Sequence, residues 1–134
     1  MDTLQFTFIA ALAFGGIAIA YILATAPKVG SAILAAMLAA AFAAYTAGQI
    51  YAEGVVMFWE NHTANLTGIQ VWWDLINCVV IALFFIAPRA RAAGMNVWLW
   101  GLFAAASASI GLLAMCARLF WLEAQAKPAA AATK

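Results

Sequence analysis

The chain has 134 residues, 69% of them hydrophobic and 8% charged, with a formal net charge of +1, and its mean hydropathy is +1.01. A soluble domain of this size has too little interior to hide that much apolar surface, so lipid must cover part of it. Six Lys and Arg against five Asp and Glu leave no basic patch of the kind that holds nucleic acid.

A helix crosses the ~30 Å hydrocarbon core in about 20 residues, and four apolar blocks reach that length. The first, residues 4–26, carries no charge and ends at Pro27-Lys28. Ala24-Thr25-Ala26 resembles a leader-cleavage pattern. Against a leader, Asp2 is the only charge ahead of the block, and the apolar run exceeds the usual length. It reads as a span. The second block, residues 31–58, opens with Ser31 as N-cap, is apolar to about Tyr51, and keeps a helical pattern to Trp59. The third, residues 69–87, stops at Pro88-Arg89, where proline removes a helical N–H. The fourth, residues 97–122, precedes a polar, Ala-rich stretch that reads as a flexible tail, residues 127–134.

Lipid cannot satisfy bare backbone groups, so each block should be a helix, and four long blocks do not make a membrane barrel. The expectation is an all-α integral membrane bundle of four transmembrane helices, one domain over residues 1–126. The tryptophans agree, because Trp gathers at the lipid–water interfaces. Trp98, Trp100 and Trp121 bracket the fourth block, Trp72 and Trp73 open the third, and Trp59 closes the second.

Four spans put both termini and the loop between residues 53 and 70 on one side. Lys28, Arg89 and Arg91 fall on the other. Positive charge marks the cytoplasmic side, so the termini are expected on the non-cytoplasmic face of a multi-pass inner-membrane protein. Cys78 and Cys116 each lie five residues inside an interfacial Trp. Two cysteines make no disulfide framework, and they read as packing residues.

Ionisable and amide groups break the apolar pattern in the half of the membrane nearest the termini. On the second helix Tyr45, Gln49 and Glu53 are four apart; on the third, Gln70, Asp74 and Asn77 follow four-and-three spacing. Each set forms one stripe. Arg118 ends a seam of mostly small residues on the fourth helix, Gly101, Ala104, Ala108, Gly111 and Met115. If that seam faces the bundle, Arg118 meets Asp74 or Glu53. The bland reading is structural: an ion pair and amide bonds joining helices, or Arg118 reaching for the interface. The sharper one is a ligand, ion or proton site lined by Tyr45, Gln49, Glu53, Asp74, Asn77 and Arg118.

Other chemistries are set aside. His62 is the only histidine, which excludes a bis-histidine haem, although not Met or Cys ligation, and it reads as a solvated loop residue. No Cys/His cluster has zinc spacing, and no phosphate loop or catalytic triad can be assembled. No cofactor, metal or catalytic residue is specified.

From Asp74 onward the chain resembles a family of small uncharacterised bacterial inner-membrane proteins. The matching elements are Asp74-Leu75 opening a span, the basic turn Arg89-Ala90-Arg91, Gly94-Met95, Trp98 and the run from Leu119 to Glu123. They cover roughly fifty residues; Arg118 departs from the pattern. The resemblance implies a bacterial membrane location and no activity.

Small residues abound on the first, second and fourth helices, as at Gly15-Gly16 and along residues 35–44. They exceed what one bundle needs internally and point to packing against another membrane subunit or another copy. The leading expectation is an accessory or structural subunit, or a homo-oligomer. The alternatives are a small dimeric transporter or channel using Glu53 and Asp74, and a cofactor-binding membrane subunit.

Overall fold

The computed structural model describes residues 3–25 and 30–131. Among them are six helices and no strand: α1 (Thr3–Thr25), α2 (Ala32–Glu53), α3 (Val56–Thr63), α4 (Leu66–Ala92), α5 (Val97–Ser107) and α6 (Ser109–Ala131). Three of these, α1, α2 and α4, are long and apolar enough to cross a membrane. The expected four uninterrupted spans are not what forms.

Each departure has a local cause. Ser31 caps α2 as expected, its side chain accepting from the Leu34 N–H at 3.2 Å. The helix stops at Gly54, whose φ of 83° belongs to the left-handed region that glycine enters without strain. The remainder of the second block becomes α3, followed by Asn65, which caps α4 by accepting from the Gly68 N–H at 2.9 Å. Helix α4 runs through Pro88 to Ala92 rather than ending before it. Only the Phe84 carbonyl loses its donor there, and the last turn is tied down from outside by Glu123, described below.

The fourth block is broken in the middle. Ala108 has φ 48° and ψ −117°, the backbone of the first central residue of a type II′ turn, a position that glycine usually fills. The chain reverses there. A Cβ placed on Gly111 would meet the Phe103 carbonyl oxygen at 2.6 Å and the Ala104 nitrogen at 2.7 Å, a proximity that no straight helix allows across eight residues. Helices α5 and α6 therefore form a close antiparallel pair. At 1.5 Å per residue α5 is only about 16 Å long, half the depth of a hydrocarbon core. Helix α6 continues to Ala131, into the stretch expected as a tail.

Helix α6 is the centre of the molecule. It packs most extensively on α2, then on α5, and along one end of α4. The fully buried large side chains, Met115 and Leu119, are both on it. Ala35 and Ala39 of α2 and Ala104 of α5 are the small buried surfaces that let the helices close on it. Helix α1 leans on α2 only loosely; an open apolar cleft of about 330 Å³ separates Phe14, Ile17 and Tyr21 from Ser31, Leu34 and Met37.

Because α6 turns back, the C-terminal half of the last block ends beside the start of α2 and the end of α4. The Phe120 ring sits against Gly30, and the Arg89 guanidinium lies over the same ring, 5.5 Å from its centroid. Four crossings would have sent Phe120 and Glu123 to the far side from Arg89; the hairpin returns them to it.

Candidate functional site

The six residues predicted to share one site are split by this arrangement. Arg118 lies two residues from Phe120, level with Gly30 and Arg89. Glu53 is 23 residues further along α2, about 34 Å up that helix. Arg118 is exposed and stacks over Trp121, with its guanidinium carbon 4.5 Å from the ring centroid. That is an interfacial cation–π arrangement. The expected meeting of Arg118 with Asp74 or Glu53 does not occur. The seam that carried the expectation assumed a straight fourth helix.

The charge pair that forms joins two residues that sequence spacing alone places on opposite sides of the membrane. Arg89 Nε donates to Glu123 Oε1 at 2.9 Å and Arg89 Nη2 to Oε2 at 2.6 Å, a two-pronged bridge between α4 and α6. With four straight spans Arg89 falls in a cytoplasmic turn and Glu123 on the opposite side. Only the reversal at Ala108 makes them neighbours.

On α2, the predicted stripe keeps part of its internal bonding. Gln49 Nε2 donates to Glu53 Oε2 at 3.3 Å, while Gln49 Oε1 is closed off from water and finds no donor. Tyr45 is 57% exposed and stacks on Phe42, ring centroids 6.5 Å apart. Helices α2 and α4 are not packed on each other, so the two stripes stay apart.

On α4, Gln70, Asp74 and Asn77 are all exposed. The helix spans about 40 Å at 1.5 Å per residue. Centred on a ~30 Å core, it overhangs by about 5 Å at each end, which puts Asp74 about 7 Å and Asn77 about 11 Å below the hydrocarbon surface. An Asp or Asn open to lipid at that depth is unfavourable, by up to about 3 kcal/mol for a carboxylate at a helix centre. Asp74 and Asn77 make no hydrogen bond to any described side chain.

His62, expected in a solvated loop, lies on α3 and is half-buried. Its Nδ1 is 2.6 Å from the Phe58 carbonyl, which can only accept, so the ring carries its proton there. The imidazole tilts against Trp72 with centroids 5.3 Å apart. Together with the close fit of Gly68 under Asn61, this fastens α3 to the start of α4. Cys78 and Cys116 are both free, the first exposed and the second half-buried. No group of three or more His, Cys, Asp or Glu that could hold a metal occurs among the described residues. No family model, curated protein or solved structure matches the chain.

Proposed function

We propose that this chain is a multi-pass protein of the bacterial inner membrane that acts as an accessory or structural subunit, packing against another membrane chain. One observation carries the reading: the outer face of α4 presents Asp74 and Asn77 at hydrocarbon depth, with Gln70 at its edge, and none of the three has a hydrogen-bond partner among the described residues. Polar groups in lipid seek partners on neighbouring helices. Size measurement in mild detergent, with mass spectrometry of whatever co-purifies, tests it. A larger assembly is expected; a monomer with no companion protein overturns it.

The orientation proposed here has the Arg-bearing end in the cytoplasm. Arg89, Arg91 and Arg118 lie at that end. Glu53 and Glu60 lie toward the other. Apart from Glu123, which pairs with Arg89, the described acidic groups lie toward the other end, an asymmetry that suits the positive-inside rule. A reporter fused after the last residue is expected to be active in the cytoplasm, and periplasmic activity would reverse the assignment.

A small transporter or channel is the second reading, favoured by the turn at Ala108. A helix pair that reverses within the membrane is a device that carriers use at their substrate sites. Proton- or cation-dependent flux in proteoliposomes, lost on Glu53→Gln, would promote it.

A further inference from the structure

We propose that the partner of α4 is α4 of a second copy, the two helices pairing in parallel about a twofold axis along the membrane normal. The proposal rests on the subunit reading above and gives its partner. Helix α4 has two distinct faces. Leu75, Val79, Leu83, Ile86 and Ala90, with Gly68, Ala82 and Ala87 beside them, are the half-buried or buried ones and turn toward the rest of the molecule. Gln70, Asp74, Asn77, Ile81 and Phe84 are all exposed. Asn77 and Val79 are two residues apart, about 200° around the helix, so the polar stripe points directly away from the core.

The outward residues are spaced four, three, four and three. That is the heptad seam of a left-handed helix pair, with apolar Ile81 and Phe84 continuing where the polar residues stop. It uses a surface that is 56% exposed at Ile81 and 73% at Phe84.

Chemistry selects a second copy. Copies inserted with the same topology run parallel and hold each residue at one depth, and the commonest closed symmetry is twofold. Gln70 then faces Gln70, and Asn77 faces Asn77. A carboxamide is its own complement, because it carries both donor and acceptor. A single buried polar residue in such a seam fixes register and strand number. Asp74 is the one group that does not complement itself. The Gln70 and Asn77 amides, one turn to either side, supply donors to the facing carboxylates.

The test uses the full chain in native membranes with Cys78 and Cys116 replaced by Ala. Single cysteines at Ile81→Cys and Val79→Cys are treated with a short bismaleimide. Ile81→Cys is expected to give a dimer at least tenfold faster than Val79→Cys, which lies on the inner face. Asn77→Leu removes two symmetry-related amide bonds of the usual membrane strength and is expected to loosen the dimer about eightfold. Asp74→Asn, which removes the like-charge contact, is expected to tighten it. Equal rates for the two cysteines overturn the proposal. A photo-reactive side chain at Ile81 separates the failures: capture of a different membrane protein overturns the second copy and spares the subunit reading, whereas capture of no protein at all removes both.

Discussion

Helices α4 and α6 are similar in length and opposite in circumstance. Helix α4 has a mean hydropathy of 2.0 over its most apolar 18 residues and yet lies at the periphery with most of its side chains open. Helix α6 carries Arg118, Glu123 and Gln125 and yet holds the centre, with Met115 and Leu119 fully buried. In water this ordering would be wrong. In lipid it is what the solvent asks for, since hydrocarbon rewards no exchange of one apolar neighbour for another. Position is decided by small residues that permit close approach and by polar groups that need receivers. Glu123 and Arg118 of α6 have theirs in Arg89 and Trp121; among the described residues the polar stripe of α4 has none.

The comparison can be broken most sharply at Gly111. A side chain there collides with the backbone of Phe103 and Ala104, which cannot yield as a flexible side chain could. Gly111→Val should open the α5–α6 hairpin, a loss of about 3 kcal/mol or more, visible as failed accumulation or a collapsed melting transition in detergent. Next in size is the contrast between matched truncations. Leu119→Ala in the centre should cost about 2–5 kcal/mol, the usual range for an emptied core site. Phe84→Ala on the outer face of α4 should leave monomer stability almost unchanged. Equal losses in thermal unfolding would mean that α4 is as interior as α6.

Much of this was legible in the sequence. Apolar length located α1, α2 and α4, and Ser31 marked the start of α2. What stayed hidden depends on two backbone positions. Gly54 could have ended the second block on sight, because a glycine inside a helical pattern is a standing candidate for a C-cap. Ala108 could not. Alanine is the best helix former, and nothing about it announces a reversal; the turn is set by the packing of α6 on α2 and α5. Every long-range error follows from that residue, including the placement of Arg118 near Asp74 and the separation of Arg89 from Glu123. The stripes on α2 and α4 were recognised from spacing alone, but spacing does not say toward which neighbour a stripe points.

Smaller effects sharpen the picture at the α4–α6 junction and at the turn. The Arg89–Glu123 bridge is two-pronged but half-exposed, with the arginine side chain 45% and the glutamate 24% accessible, so salt and solvent screen it. Arg89→Ala should cost about 1 kcal/mol, with the deficit shrinking as ionic strength rises. A salt-independent loss would mean that packing of the guanidinium on Phe120, rather than charge, ties the two helices together.

Ala108→Gly should act in the opposite direction. A non-glycine residue at φ 48° stores strain of about 1–2 kcal/mol, since its Cβ crowds the backbone in the left-handed region. Glycine relieves that strain in the folded hairpin, while adding freedom to the unfolded chain and weakening any helix that runs straight through position 108. The balance favours the hairpin over a continuous helix by about 1 kcal/mol. The substitution should therefore raise the melting temperature and leave the C-terminal side of the protein where it was. If glycine lowered stability instead, residues 97–122 would be helical without interruption in the membrane, Glu123 would be carried away from Arg89, and α6 would lose its claim to the centre.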